Sequence, residues 1–373
     1  MSQLKIGIDV HSIGSRKGGN ETYYKELVSS LAQTPCVHKF LLYHTTSSVT
    51  KEVRAAENFI FRRICPSHPV IRIPCTLPWH IRTDRLDLFH AQFIVPPFLR
   101  CPTVTTIPDI AYEHFPEFFP ATQRLWLKTL IPESAVRADH IITVSEYSKR
   151  DLIETYGLPE DKITVTYEGA GDKFVPLNKE KCREELDRSY GINGEFILYL
   201  GRLQARKNLL RLVEAYARIR KCGFHHKLVL AGKRDSLFDS VLLRVRELEL
   251  EDEVLLPGYI APEHIVKLYS AAEVFVYPSF FEGFGLPIME AMACGTPVIT
   301  SRSSSLEEIA GGSAVLVEPE DELSIANALM TVLNNATLRC QLGKAGLERS
   351  RLFNFKSAAQ KTIEVYERVM GKA

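Results

Sequence analysis

Apolar runs rich in β-branched and aromatic residues alternate with helix-like segments along the whole chain. In the first half, the pattern predicts strands at 4–10, 40–43, 88–90, 104–107 and 141–144. A second series starts near Phe196, with predicted strands at 196–200, 227–231, 254–256, 274–277, 298–300 and 314–317. Repeated alternation of strand and helix is typical of α/β proteins with parallel sheets. The sequence therefore predicts two doubly wound domains in tandem.

Helical periodicity fills several of the intervals and the end of the chain. Helices are predicted at 120–138, 145–156, 209–222 and 355–370, together with one that Asn20 caps. Ser145 is the predicted N-cap of the 145–156 helix. The last helix carries an apolar stripe, so we expect it to pack against another part of the protein.

A glycine-rich segment ending in proline, 169–176, separates the two series, and we place an interdomain hinge there. The predicted domains are 1–172 and 178–354. Residues 355–373 form the last helix, which we expect to return to the N-terminal domain. If the ligand edges of the two sheets face each other, a central cleft results.

Composition narrows the class of protein. With 373 residues the chain is long enough for two cores, and its net charge of +1 argues against a dedicated nucleic-acid binder. The eight cysteines show no metal-ligand spacing, so we expect no metal site and reduced thiols in a cytoplasmic protein. We also expect no signal peptide and no transmembrane span.

The most informative stretch is 277–299, which predicts a strand end, a glycine-rich loop, a helix and a second strand. Two carboxylates lie in it, Glu282 on the loop and Glu290 about one turn into the helix that Pro287 opens. Gly283 and Gly285 permit close approach of the backbone to a ligand, and free N–H groups at a helix start favour an anion. A phosphate site flanked by two hydroxyl acceptors suits a sugar nucleotide.

A second loop with chemistry-bearing residues, 201–208, follows a predicted strand. Arg202 and Lys207 could neutralise the charge that builds on a departing diphosphate. The alternative is a solvated basic loop. Arg206, between them, is predicted to face solvent.

The N-terminal half offers weaker candidates. Asp109 could accept a proton from an acceptor hydroxyl or merely cap a turn. His90 could be catalytic, but a hydrogen-bonded, partly buried side chain is the commoner role of a lone histidine. Glu113 and His114 are further possible proton acceptors.

The middle of the first half is locally basic. Six arginines alternate there with apolar side chains: Arg62, Arg63, Arg72, Arg82, Arg85 and Arg100, with Ile60, Phe61, Ile73, Leu77 and Trp79. Such a surface would suit peripheral contact with the inner membrane surface and a lipid-linked acceptor. An ordinary mixed surface has the same composition.

At these residues the chain resembles the retaining, sugar-nucleotide-dependent glycosyltransferases of family 4 (group 1), which have the GT-B fold of two Rossmann-like domains. Residues 282–290 match the E-x7-E motif, and Gly201-Arg202 with Lys207-Asn208 match the diphosphate-binding loop. Further matches at 144–149, 169–176, 271–278 and 294–297 extend the resemblance over nearly the whole chain.

The resemblance implies a role for each matched residue. Glu282 would contact the donor hexose near its reacting carbon, and Glu290 would hold the ribose hydroxyls. Arg202 and Lys207 would bind the diphosphate. Further donor contacts would come from Gly201, Tyr259, Phe284, Gly285 and Leu286, and Gly18 and Gly19 would border the cleft from the acceptor domain. The family needs no metal and no cofactor beyond the nucleoside diphosphate sugar.

One departure from the family affects proton transfer. The family usually carries His-Asp after the fourth N-domain strand, where this chain has Pro108-Asp109. Proline has no side-chain donor or acceptor, so either Asp109 or a phosphate oxygen of the leaving group would take the proton.

The resemblance is closest to mannosyltransferases of polysaccharide assembly, which implies transfer of mannose from GDP-mannose to a glycan or lipid-linked glycan. UDP-glucose or UDP-N-acetylglucosamine is the alternative donor. An epimerase or phosphorylase on the same architecture, or a non-catalytic sugar-nucleotide-binding homologue, are the rival classes. The domains are expected to close on donor binding.

Overall fold

The computed structural model describes residues 3–15, 18–53, 55–235 and 238–372. The outermost bounds of the predicted domains, residues 1 and 373, lie outside the described residues. The chain forms two compact units, Met1–Glu168 with Phe355–Ala373 and Gly169–Asn354. The last helix therefore belongs to the first unit, and the unit boundary falls at the start of the glycine-rich segment.

The first unit is built on a seven-stranded parallel sheet with the order β3-β2-β1-β4-β5-β6-β7. Its strands are β1 Lys5–Asp9, β2 Lys39–His44, β3 Phe59–Arg63, β4 Leu88–Gln92, β5 Thr103–Thr106, β6 His140–Thr143 and β7 Ile163–Val165. The two edge strands, β3 and β7, are not predicted from the sequence. An edge strand is buried less completely, so its hydrophobic signal is weaker.

The helices of the first unit pack on both sides of that sheet. They are α1 Gly19–Leu31, α2 Val49–Glu52, α3 Pro69–Ile71, α4 Leu77–Thr83, α5 Ala111–His114, α6 Ala121–Arg137, α7 Glu146–Tyr156 and, from the end of the chain, α16 Phe355–Lys372. A π-helical turn, Arg72–Thr76, joins α3 to α4, and 3-10 turns lie at Pro116–Phe118 and Glu160–Lys162. The prediction of Ser145 as N-cap is confirmed, because its side chain accepts from the Ser148 N–H. The prediction of Asn20 as N-cap is wrong, because Gly18 occupies that position and Asn20 lies inside α1.

The second unit has a six-stranded parallel sheet with the order β10-β9-β8-β11-β12-β13. Its strands are β8 Phe196–Leu200, β9 Lys227–Ala231, β10 Val254–Gly258, β11 Val274–Tyr277, β12 Val298–Ser301 and β13 Val315–Val317. Its helices are α8 Lys179–Tyr190, α9 Leu209–Lys221, α10 Asp239–Glu247, α11 Pro262–Ala271, α12 Leu286–Ala293, α13 Ser305–Ala310, α14 Glu322–Asn334 and α15 Ala336–Ser350, with a 3-10 turn at Ala205–Lys207. The predicted α/β class with two doubly wound domains is confirmed.

Helix α16 closes the core of the first unit. Its apolar stripe is buried at Ala359, Ile363 and Tyr366, and it packs against α1. The Tyr366 hydroxyl lies 2.7 Å from Nδ1 of His90, which is fully buried. The contacts that stabilise the first sheet thus include residues from the far end of the chain.

Candidate active site in the second unit

The candidate site lies where the strand order of the second sheet reverses. Strands β8 and β11 are hydrogen-bonded neighbours in the sheet, although β9 and β10 lie between them in the sequence. In open α/β sheets, ligands bind outside the carboxyl ends of the strands at such a switch point. The two loops singled out from the sequence leave the sheet here: 201–208 follows β8, and 278–285 follows β11.

Lys207 ends the 3-10 turn after β8 and points into the protein. The next residue, Asn208, has a left-handed backbone with φ of 60°, which asparagine tolerates better than most residues. The Asn208 side-chain amide donates to the Pro319 carbonyl at 2.6 Å, which fixes this bend. The Lys207 side chain is consequently only 8% exposed.

The Lys207 ammonium has two polar partners. It forms an ion pair with the Glu282 carboxylate and donates to the Tyr277 hydroxyl at 2.7 Å. The Tyr277 ring stacks on Tyr199, with 5.7 Å between ring centroids. Burial, with the negative charge of Glu282 nearby, raises the pKa of Tyr277 well above its ordinary value. This tyrosine is therefore neutral and can donate its own proton elsewhere.

Arg206 is also part of this cluster. The prediction that Arg206 faces solvent is wrong: its side chain is 17% exposed and its guanidinium lies 3.4 Å from Glu282 Oε2. The guanidinium also donates to the Phe281 carbonyl, and the Phe280 N–H donates to the Arg206 carbonyl at 3.0 Å. No local pattern signals this role, because the partners lie about 75 residues away in the sequence.

Two cations hold Glu282 in its ionised form. Burial by itself would raise the pKa of this carboxyl, but the nearby Arg206 and Lys207 lower it to about 2. Glu282 is 8% exposed. The second unit thus presents a buried carboxylate between two cations at the end of a strand.

The helix after this loop begins at Leu286, one residue before Pro287, where the sequence predicts its start. Gly285 is the N-cap of α12 with φ of 96°, and a Cβ there would lie 2.6 Å from Leu306 Cδ2. Phe284 and Leu286, on either side of Gly285, are buried. The Phe284 ring packs edge-on against Phe353. The donor contacts expected of these three residues can therefore come from their backbone groups and not from exposed side chains.

Glu290 lies in the middle of α12 and is half-buried. Its Oε2 accepts from the Tyr269 hydroxyl at 2.8 Å, and this tyrosine is fully buried on α11. The Thr296 hydroxyl in turn donates to the Tyr269 carbonyl at 2.8 Å. The second carboxylate of the E-x7-E motif thus has a fixed orientation.

Arg202 is the more accessible of the two predicted diphosphate ligands, with a side chain that is 43% exposed. Its guanidinium lies 3.4 Å from the Asp235 carboxylate, and the Gln204 side chain donates to the same carboxylate at 3.0 Å. Its carbonyl accepts from the Tyr199 hydroxyl at 2.9 Å. Asp235 follows β9, so a neighbouring strand end orients this cation.

Glycines bring three strand ends close together beside the site. The Gly201 N–H donates to the Ala231 carbonyl at 3.0 Å, and the Gly232 N–H donates to the Gly258 carbonyl at 2.8 Å. A Cβ on Gly232 would lie 1.8 Å from the Gly201 carbonyl oxygen, so only glycine fits. Tyr259, directly after Gly258, is 69% exposed. An exposed aromatic ring thus stands at the end of β10, where the sequence predicts a contact with the nucleotide.

The candidates of the first unit are less favourable for chemistry. Gly18 caps α1 with φ of 88°, and Gly19 is exposed at the first turn. Asp109 is half-buried, and its Oδ1 accepts from the Ala111 N–H at 3.1 Å, the geometry of a turn cap. Of the two roles that the sequence leaves open for Asp109, the structure shows the turn cap.

His90 has the structural role that is commoner for a lone histidine. Its Nε2 lies 2.7 Å from the Thr106 hydroxyl, and burial lowers the pKa of His90 to about 3, so it stays neutral. His114 lies 2.7 Å from Asp151, and Glu113 pairs with Lys128 at 2.9 Å. These three candidates have protein partners of their own.

An ion pair that is not predicted from the sequence lies at the end of β1. Asp9 and Arg72 are both buried, with 2.7 Å between Oδ2 and Nη1, and His11 lies 3.0 Å from the other carboxylate oxygen. Burial raises the pKa of Asp9, but His11 and Arg72 lower it well below its ordinary value. The pair joins β1 to the π-helical turn, 63 residues along the chain.

The site combines cationic and anionic side chains at the ends of the strands. Arg202, Arg206 and Lys207 surround the strand ends, and Glu282 and Glu290 provide hydroxyl acceptors. Within the described ranges, no group of three histidine, cysteine, aspartate or glutamate side chains could hold a metal ion. In the same residues, no helix is both long and apolar enough to cross a membrane.

Together, two doubly wound domains and a site rich in cations and carboxylates define a glycosyltransferase of the GT-B fold. Two family models match the chain: Glycosyltransferase Family 4 over residues 17–171 and Glycosyl transferases group 1 over residues 183–349. The chain belongs to this glycosyltransferase family.

Among curated relatives, O-antigen chain mannosyltransferase B of Escherichia coli is 30% identical over 290 residues, which cover 78% of this chain and 76% of the relative. O-antigen chain mannosyltransferase RfbU of Salmonella typhimurium is 30% identical over 63% of this chain, a match that spans 62% of its own length. The match to the serotype-specific mannosyltransferase WbdA of Escherichia coli spans only 29% of that longer protein.

Two solved structures show the same fold. Sucrose-phosphate synthase from Thermosynechococcus elongatus superposes with a TM-score of 0.82, at 22% identity and full coverage of both chains. HepE from Anabaena, solved in complex with UDP and glucose, superposes with a TM-score of 0.78 at 19% identity, covering 98% of this chain and 100% of its own. At these identities the similarity establishes the fold alone.

Proposed function

We propose that the protein is a retaining hexosyltransferase that moves mannose from GDP-mannose to a hydroxyl of a glycan or lipid-linked glycan. The observation that supports it best is the buried cluster of Lys207, Arg206 and Glu282 at the switch point of the second sheet. The curated relatives named as O-antigen mannosyltransferases support mannose as the sugar.

In this proposal the leaving group is a nucleoside diphosphate. Arg202 and Lys207 bind its phosphates, and their charge stabilises the negative charge that grows on the departing oxygen, with no metal ion or cofactor required. Glu282 contacts the hexose, Glu290 holds the ribose hydroxyls, and Tyr259 lies beside the base.

The acceptor hydroxyl loses its proton during transfer, so a basic atom must accept it. Pro108 offers no side-chain acceptor, and the Asp109 carboxylate already caps a turn through the Ala111 N–H. We therefore assign the proton to an oxygen of the leaving diphosphate. The new glycosidic bond then forms on the face from which the diphosphate departs, and the anomeric configuration is retained.

A UDP-sugar is the second candidate donor, because a structural neighbour was solved in complex with UDP and glucose. A panel of GDP-, UDP- and ADP-sugars separates the two. The true donor is expected to raise the melting temperature most, since a ligand of the folded state stabilises by RT ln(1 + [L]/Kd). Melting temperatures should rise equally with and without EDTA.

Transfer itself is tested with mannosylated acceptors and NMR of the product, whose anomeric configuration should match the donor's. Inverted product would refute the retaining mechanism. Donor binding with neither hydrolysis nor transfer to any acceptor would favour the non-catalytic homologue. Interconversion of sugar nucleotides without an acceptor would favour an epimerase.

We also propose that the first unit contacts the inner, cytoplasmic membrane surface through residues 62–85. Val70, Ile71 and Trp79 are exposed to 51%, 46% and 61%, an unusual amount of apolar side chain for one short segment. Arg63 and Arg82 are exposed beside them. Apolar side chains with flanking arginines suit an anionic lipid surface, where each arginine contributes about 1 kcal/mol.

The chain's two tryptophans, Trp79 and Trp126, allow a direct test of this contact. With Trp126→Phe, the remaining Trp79 should show a blue shift on anionic vesicles and none on zwitterionic ones. With Trp79→Phe, the signal from Trp126 should not change. Arg82→Gln should weaken binding roughly fivefold. Failure to co-sediment with anionic vesicles at low salt would refute the contact.

A further inference from the structure

The segment after β12 contains a backbone conformation that its residue type disfavours. Ser304 has φ of 50° and ψ of −139°, in a region where a Cβ is unfavourable and glycine is the usual residue. Residues held in such conformations cluster at functional sites, where their surroundings fix them.

The Ser304 hydroxyl serves the candidate site and not its own helix. Ser304 is the N-cap of α13, yet its side chain makes no capping hydrogen bond to that helix. Its Oγ instead accepts from the Glu282 N–H at 2.9 Å. A serine at an N-cap normally satisfies an N–H of the helix that it begins. Here that capacity is used on a loop 22 residues earlier in the chain.

The next residue holds the other backbone polar group of Glu282, its carbonyl. Ser305 is fully buried, and its hydroxyl lies 2.9 Å from the Glu282 carbonyl and 3.1 Å from the Phe284 carbonyl. One hydroxyl has one proton, so Ser305 shares it between the two oxygens. Consecutive serines therefore fix both the N–H and the carbonyl of Glu282.

We propose that Ser304 and Ser305 are positioning residues for sugar transfer, because they hold the backbone of Glu282 so that its carboxylate reaches the donor hexose. This inference rests on the proposed function. Arg206 and Lys207 hold the carboxylate itself, and the two serines hold the main chain beneath it. Without them the loop 282–284 can shift, and misplacement of a reacting group by 1 Å can cost about 10²-fold in rate.

The test compares Ser304→Gly and Ser305→Ala with Ser301→Ala. Glycine suits the backbone of position 304, so the first variant removes the hydroxyl without adding strain. Ser301 is the buried last residue of β12, and its hydroxyl has no hydrogen-bond partner among the described residues, so it serves as the control. We expect kcat to fall about 10- to 100-fold in the two loop variants, with little change in donor KM or melting temperature. The control should keep its kcat.

A merely structural role would lower the melting temperature and the active fraction in proportion, with kcat per folded enzyme unchanged, and would overturn the proposal. Ser305→Thr keeps the hydroxyl and should retain most of the activity. If the wild-type enzyme transfers no sugar at all, the proposed function fails separately. A crystal structure of Ser304→Gly combined with Ser305→Ala then decides: an unmoved Glu282 refutes the positioning role, and a displaced one supports it.

Discussion

Lys207→Ala is expected to reduce the rate of sugar transfer by about 10²–10³-fold, the usual cost of losing one preorganised contact to developing charge. The same variant should also lose stability. It removes one partner of a buried ion pair with Glu282 and leaves Arg206 as the remaining cation beside that carboxylate among the described residues. Breaking a buried pair in this way typically costs about 3–5 kcal/mol. Urea unfolding and steady-state kinetics measure the two effects.

Arg202→Ala separates binding of the diphosphate from folding. Arg202 is largely exposed, and its pair with Asp235 is one of the surface type that contributes little to stability. Its loss should therefore lower transfer while the unfolding curve stays in place. The control is Lys221→Ala. Lys221 is exposed at the C-terminal end of α9, far along the helix from the 201–208 loop, and its loss should change neither the transfer rate nor the unfolding curve. Unchanged turnover in the combined Arg202→Ala and Lys207→Ala variant would contradict the proposed site.

Glu282→Gln is expected to lower transfer by about 10²-fold or more, although the two side chains have nearly the same shape. The substitution removes the negative charge on which Lys207 and Arg206 converge and leaves two cations around a neutral amide. Donor binding by calorimetry should change less than kcat, if Glu282 acts near the reacting carbon. Glu251→Gln, at an exposed glutamate, provides the control. Full activity in Glu282→Gln would remove this residue from the mechanism.

The same carboxyl predicts a pH dependence of stability. The pKa of Glu282 is lowered from an ordinary value of 4.5 to about 2 in the folded protein. A lowered pKa in the folded state means that the unfolded state binds the proton more readily. The stabilisation from Glu282 is therefore complete above pH 4.5 and is lost as the pH falls towards 2. The difference in unfolding free energy between wild type and Glu282→Gln should shrink over that range.

Much of the architecture could be predicted because parallel strands buried on both faces leave continuous apolar runs. The central strands of both sheets are recognisable for this reason, and so is the helix that begins beside Pro287. The edge strands Phe59–Arg63 and Ile163–Val165 could not be predicted in this way, since one is charged at its end and the other has three residues.

Some residues of the candidate site can likewise be recognised from the sequence, and others cannot. Glu282, Glu290, Arg202 and Lys207 stand out because local spacing places them on loops at strand ends, where ligands bind. Whether a charge on such a loop faces solvent or another charge depends on partners far away in the sequence. Arg206 shows this most clearly. The sequence predicts that this arginine faces solvent, but in the structure it contacts Glu282 and the Phe281 carbonyl.

The central strands, several of the helices, the two-domain class and the short motifs can be predicted from the sequence, because they depend on hydrophobic periodicity and on residues a few positions apart. The tertiary structure alone decided that Asp109 caps a turn, that His90 is buried beside Tyr366, and that Ser304 and Ser305 hold the backbone of Glu282. Those contacts join segments that meet only when a sheet forms and brings its strand ends together. Burial then sets the strength of each charge and hydrogen bond, and no local pattern carries that information.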